Sequence, residues 1–108
     1  MKLVRDKIPE IIKDKGRVPK THIANDEEYR ELLVEKLKEE VKEFDEHRTE
    51  EELADVLEVI RALAELYGRG YKEIETLRKR KARDRGEFKK KIVLEEVNGA
   101  HYGSPPPA

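Results

Sequence analysis

Cysteine is absent, so the chain has neither a disulfide framework nor a thiolate metal site. Glutamine is absent as well and asparagine occurs only at Asn25 and Asn98, which together with abundant Glu, Lys and Arg resembles the bias of heat-adapted, thermostable proteins. No apolar run is long enough to span a bilayer or to act as a signal peptide, so no membrane partner is expected and a cytoplasmic location is the default expectation. An excess of one charge sign is missing too. Although 45% of the residues are Asp, Glu, Lys or Arg, the net charge is −1, so bulk charge gives no reason to expect nucleic acid. The 108 residues suffice for one small domain but are short for a generous core, which makes completion of burial by a second copy an expectation from the outset.

Helix signals are plentiful. "MKLVRDKIPEIIKDKG" predicts a short helix over about residues 7–15, with Asp6 as N-cap, Pro9 in the first turn and Gly16 after the end. A long helix is predicted from the caps Asn25 or Asp26 to His47, with no Gly or Pro inside. A second begins at the N-cap Thr49 and closes at Gly68; its short connection to the first makes the two antiparallel. A third helix spans about 71–85, strongly basic toward Gly86. "THIA" (21–24) and "KIVLEEV" (91–97) read as short strands, pairing with each other or with the N-terminal "KLV". The predicted fold is thus all-α, a helical bundle completed by oligomerisation with minor short strands near the termini. One domain is expected over residues 1–97, and 98–108 have the composition of a flexible tail.

Two carboxylate pairs break the pattern of the long helices. With Leu37 at zero on a wheel of about 100° per residue, Leu33, Val41 and Phe44 lie within about 40°, and Tyr29 and Leu32 extend the apolar arc to about −140°. Glu40 and Glu43 fall inside that arc, at about −60° and −120°, while Glu35, Lys38, Lys42 and Glu46 take the opposite face. On the next helix, with Val56 at zero, Glu52 and Asp55 fall at about −40° and −100°, again among apolar residues, and Glu58, Arg61 and Glu65 form the polar strip. Ionised carboxylates withdrawn from water cost several kcal/mol each unless compensated, and four together repel. A divalent cation is the economical compensation. Carboxylates three apart lie one turn apart on one side of a helix, and two such pairs on antiparallel neighbours can converge. An all-oxygen set suits Mg²⁺, with Mn²⁺ as the alternative, and Mg²⁺ commonly takes further oxygens from phosphate. A plainer account exists for Glu52, as the third residue of a capping box with Thr49, and for Asp55, as an acid near a helix N-terminus; it leaves Glu40 and Glu43 in mid-helix unexplained.

At these residues the chain resembles the all-α nucleoside triphosphate pyrophosphatases, which include MazG, dimeric dUTPases and phosphoribosyl-ATP pyrophosphohydrolase. Their EExxE and ExxD signature appears as "EEVKE" (39–43) and "ELAD" (52–55). "KLVRDKIPEII", "ALAELYG" and "RKRKARDRGEF" look closest to the small MazG-like, phosphoribosyl-ATP pyrophosphohydrolase-like branch, and the resemblance covers most of residues 2–97. It implies Mg²⁺ coordination by Glu40, Glu43, Glu52 and Asp55, with Glu39 binding a second ion or orienting water. It also implies hydrolysis of the α–β phosphoanhydride of a nucleotide substrate to a monophosphate and pyrophosphate, in a homodimer or homotetramer. Glu39 and Glu43 are the catalytic candidates, and the sequence does not assign the general base between them.

A triphosphate also needs cationic donors. Lys36 lies one turn before Glu40, and Arg78, Lys81 and Arg85 form a row along the third helix; these four are the candidate phosphate-binding residues, although a solvated basic helix end would look the same. Arg5 and Lys7 of "VRDK" are further candidates. Phe88 is expected in the core, and His22, His47 and His101 show no ligand spacing. The rival from another functional class is a non-catalytic helical module that binds nucleic acid or protein through the basic third helix. Near-zero net charge and the inward-facing acids count against it.

Overall fold

Local capping chemistry decides where each helix begins and ends. The computed structural model describes residues 1–98 together with the backbone of Ala100 and His101. Helix α1 runs Ile8–Asp14 with Pro9 in its first turn. Lys7, not Asp6, holds the N-cap position and makes no side-chain cap. The amide of Ile8 is satisfied instead by the carbonyl of Arg5 at 3.0 Å, so no capping carboxylate is required. At the other end Gly16 takes φ +80°, its amide bonds the Lys13 carbonyl and that of Arg17 bonds the Ile12 carbonyl, a Schellman closure that a glycine enters without strain.

Helix α2, Asp26–His47, is capped by Asn25, whose side chain accepts a hydrogen bond from the Glu28 amide at 2.8 Å. Replacing Asn25 with Ala is expected to lower stability by about 1 kcal/mol, read as a shift in the urea midpoint, whereas Asn25→Asp should leave it nearly unchanged. An Ala variant as stable as the wild type would mean that the cap contributes nothing. Arg48 reverses the chain in the left-handed conformation at φ 54°, and Thr49 caps α3, Glu50–Tyr67, by accepting from the Glu52 amide at 3.3 Å. A two-residue link of this kind leaves α2 and α3 antiparallel. Gly68 ends α3 in an extended conformation, and the left-handed position falls later, at Gly70. Helix α4 occupies Tyr71–Arg85.

Neither expected strand forms as read. "THIA" has no strand, and of "KIVLEEV" only Glu96–Val97 is extended into a strand, β1. Its partner is neither "THIA" nor "KLV" but β2, Ala100–His101, which lies in the expected tail; the pair is antiparallel with Glu96 opposite His101. The reason is local: Asn98 adopts φ 55°, the left-handed geometry that tight hairpin turns demand and that asparagine tolerates well. Gly99 and residues 102–108 of the expected tail lie outside the described residues.

Contacts divide the chain into two compact units, Met1–Tyr71 and Lys72–Ala108. In the first, α2 and α3 are the one helix pair in close backbone contact among the described residues. Their packing buries Leu33, Val59 and Ala64, and no other apolar side chain of the described residues is fully buried. The polar residues of both helices, Glu35, Lys38, Lys42, Glu46, Glu58, Arg61 and Glu65, face solvent as the wheel requires. Arg61 reaches along α3 to lie 4.3 Å above the Tyr71 ring. Part of the expected apolar arc stays open, with Val41 and Leu53 each 51% exposed and Leu57 46%. In the second unit no described side chain is buried, so Phe88 has no core to enter and stands 94% exposed, against its expected place. No helix among the described residues is long and apolar enough to cross a membrane.

Candidate metal centre

The first unit gathers the candidate carboxylates at the connected end of the α2–α3 hairpin. Helical spacing places Glu40 and Glu43 one turn apart on α2, and Glu52 and Asp55 one turn apart at the start of α3. The link Arg48–Thr49 then brings the two pairs together. Glu40, Glu52 and Asp55 each offer an oxygen within 4.8 Å of the others. Glu43 is not part of that group. It converges instead with Glu52 and with His47, each again offering one atom within 4.8 Å of the others. The four carboxylates expected to act as one set therefore form two groups that share Glu52.

Withdrawal from water is graded and less complete than the wheel suggests. The Glu40 side chain is only 12% exposed and that of Glu52 22%, but Asp55 and Glu43 retain 41% and 43%. None of these carboxylates is fully buried. The chain also supplies part of the compensation itself. Lys36, 17% exposed, places its Nζ 3.3 Å from Glu40 and 3.4 Å from Glu39, joining the two through i, i+4 and i, i+3 spacing on α2. Arg5, ahead of α1, donates from Nη2 to Asp55 Oδ1 at 2.8 Å, and Lys2 lies 3.7 Å from Glu39. Asp55 and Arg5 are both well exposed, so their pair is worth a fraction of a kcal/mol and opens easily.

Of the other candidate residues, Lys7 remains the exposed N-cap of α1 and forms no ion pair with these carboxylates among the described residues. Glu39 stands beside the Glu40–Glu52–Asp55 group without belonging to it. Arg78, Lys81 and Arg85 lie in the second unit, spaced by three and four along α4. Arg78 Nε donates to both oxygens of Glu75 at 3.0 Å, and this hydrogen bond holds the Glu75 carboxyl below its ordinary pKa. A phosphate bound at Arg78 has to compete with Glu75 for the guanidinium.

His47 is the residue that sequence reasoning passed over. Its Nδ1 lies 3.4 Å from Glu43 Oε2 and 3.5 Å from Glu52 Oε1. The signal was present in the Glu43-to-His47 spacing of one helical turn, which places the two side chains on one face; no His-to-His spacing reveals it.

The donor set fits a divalent cation. Three carboxylate oxygens converging from two helices are the hard, anionic kind of donor that a divalent cation such as Mg²⁺ or Mn²⁺ takes. No protein-family model matches the chain, and no curated protein or solved structure matches it either.

Proposed function

We propose that the chain is a Mg²⁺-dependent nucleotide pyrophosphohydrolase that cleaves the α–β phosphoanhydride of a nucleoside triphosphate, in keeping with its resemblance to the MazG-like all-α pyrophosphatases. One observation carries this reading: Glu40, Glu52 and Asp55, from two antiparallel helices, bring their oxygens within 4.8 Å of one another. Mg²⁺ held by these three, with Mn²⁺ as its substitute, supplies charge neutralisation and Lewis acidity to the phosphate oxygens.

The protein's own groups do the rest. Arg5 exchanges Asp55 for a phosphate oxygen, an exchange made cheap by the exposure of both partners, and its planar fork suits that target. Lys36, shared between Glu39 and Glu40, balances the charge of the phosphate chain from the α2 side. Glu39, outside the ligand group, accepts the proton of the attacking water. The water oxygen bonds to the α phosphorus, the bond from that phosphorus to the bridging oxygen breaks, and pyrophosphate departs with its electron pair. The products are a nucleoside monophosphate, pyrophosphate and the proton left on Glu39.

The same reading includes a homodimer or homotetramer. Three buried apolar residues among those described are few for a small domain, and Val41, Leu53 and Leu57 provide uncovered apolar surface on the hairpin for a second copy.

The test is pyrophosphate release from a panel of canonical and noncanonical nucleoside triphosphates and phosphoribosyl-ATP, with Mg²⁺, with Mn²⁺ and with EDTA. Release with either metal and none in EDTA is the expected result. Silence across the whole panel, with no binding of Mg²⁺ by calorimetry, would overturn both the reaction and its site.

A further inference from the structure

The net charge of −1 conceals a segregation. Residues 1–71, the first unit, carry fourteen Lys and Arg against nineteen Asp and Glu, whereas residues 72–108, the second, carry ten against six. Nine of those ten lie between Arg78 and Lys91, where the only acids are Asp84 and Glu87. All nine are exposed. Arg78 is held by Glu75, Arg83 by Asp84 at 3.1 Å and Lys89 by Glu87 at 3.7 Å, while Arg80, Lys81, Lys90 and Lys91 form no ion pair among the described residues.

A basic helix end commonly answers the helix dipole, but that effect is confined to the last turn, which holds Arg83 and Arg85. It leaves Arg78 to Lys81, a turn earlier, without a reason. On a wheel of about 100° per residue with Arg78 at zero, Lys81 and Arg85 fall at about −60° and −20°, Lys79 and Arg83 at about 100° and 140°, and Arg80 at about −160°. The cations therefore surround the helix. Like charges three and four apart weaken the helix that carries them, so this collar costs stability unless a polyanion relieves it.

We propose that the basic end of α4 and the turn after it bind single-stranded nucleic acid, its phosphates running along the collar while a base stacks on Phe88. Phe88 stands 94% exposed inside the basic stretch, on a turn closed by the Lys91 amide, which donates to the Phe88 carbonyl at 3.1 Å. A ring in water among lysines is a stacking platform, since every base offers a flat face and every phosphate a charge. A duplex is stiff and keeps its bases inside the stack, out of the ring's reach. An anionic bilayer takes a helix with one apolar face, which cations on every side do not leave. A flexible strand can follow the collar round. This surface uses neither metal nor any residue of the α2–α3 hairpin, so it goes beyond the hydrolase reading and does not rest on it.

The experiment titrates the full chain, in EDTA, into fluorescently labelled oligo(dT), oligo(U) and a mixed-sequence DNA duplex, and reads anisotropy as KCl rises from about 50 to 200 mM. Both single strands should bind, more weakly at the higher salt. Lys89→Gln, Lys90→Gln and Lys91→Gln together should weaken binding about tenfold or more and flatten its salt dependence. Phe88→Ala should weaken it about fivefold or more and leave the salt dependence as it was. Lys13→Gln with Lys15→Gln, a matched loss of charge in the first unit, should change neither. Absence of binding, or equal binding by the wild type, the triple variant and Phe88→Ala, would overturn the proposal and leave the pyrophosphate-release test untouched. A duplex held as tightly as the single strands, with Phe88→Ala indifferent, would overturn the stacking role, and tighter binding to phosphatidylserine vesicles than to either strand would make the partner a membrane instead. Binding lost in Glu40→Gln would overturn it as well, by placing the strand at the metal centre. Circular dichroism checks that the substitutions, all at exposed residues of the second unit or of α1 and its end, leave the helices in place.

Discussion

Glu40→Gln is expected to reduce metal-dependent pyrophosphate release by at least about a hundredfold while leaving the chain folded. Its side chain is the least exposed of the clustered carboxylates, at 12%, and belongs to the Glu40–Glu52–Asp55 group. A metal ion supplies several kcal/mol of stabilisation to the charge that develops in the transition state, and each 1.36 kcal/mol lost is a factor of ten in rate. Gln keeps the volume and removes the charge, so the loss belongs to the chemistry rather than to packing. Folding in EDTA should not suffer. Lys36 retains Glu39 as a partner at 3.4 Å, and Glu52 and Asp55 lose a repelling neighbour, so the melting temperature without metal stays level or rises. The two proteins should part when Mg²⁺ is added. At a hundred times its dissociation constant the ion adds about 2.7 kcal/mol to wild-type stability, and most of that gain should vanish in the variant. Full activity in both Glu40→Gln and Asp55→Asn would show that the carboxylates have been assigned the wrong role.

The second large effect is expected from Leu53→Lys combined with Leu57→Lys. These residues sit one turn apart on α3 and are 51% and 46% exposed, on a hairpin that buries only Leu33, Val59 and Ala64 among its apolar residues. In the proposed assembly a chain with so small an interior would draw the remainder of its stability from association, and two charges added to this apolar surface would oppose it. Light scattering after size exclusion should give a multiple of the 12.7 kDa chain mass for the wild type and the single chain mass for the double variant. The variant should also lose helical signal at a lower temperature, by an amount that depends on protein concentration in the wild type. A wild type that is monomeric and melts cooperatively at every concentration would sink the assembly and leave the metal groups untouched, since these involve residues of one chain.

How much of the molecule was legible beforehand differs between elements for physical reasons. The helices were, because their ends are set by neighbours in sequence: Asn25 and Thr49 bond amides three residues on, and Gly16 relieves a left-handed turn. The helix face that carries Glu40, Glu43, Glu52 and Asp55 was legible too, since helical periodicity dictates it, but the 41% and 43% exposure that Asp55 and Glu43 keep was not. The short strands were not. Apolar runs as brief as "THIA" lack the length to arbitrate their state, and the Asn98-Gly99 pair, a hairpin signal, sat unread in a segment taken for tail. Phe88 was misplaced because core is the common fate of an aromatic ring, whereas the second unit buries no described side chain.

By itself the sequence determined the four helices, the caps at Asn25 and Thr49, the antiparallel hairpin and the face of each helix that carries the four acids, all of which follow from interactions spanning a few residues. Only the tertiary structure decided which acids meet. Convergence across two helices depends on the turn at Arg48 and on the packing of Leu33, Val59 and Ala64, and these divide the carboxylates into two groups around Glu52. The same packing recruits Arg5 from a distant segment to Asp55 and sets His47 between Glu43 and Glu52. Periodicity places a side chain on a face of its own helix; distances between helices come from how the chain turns and packs.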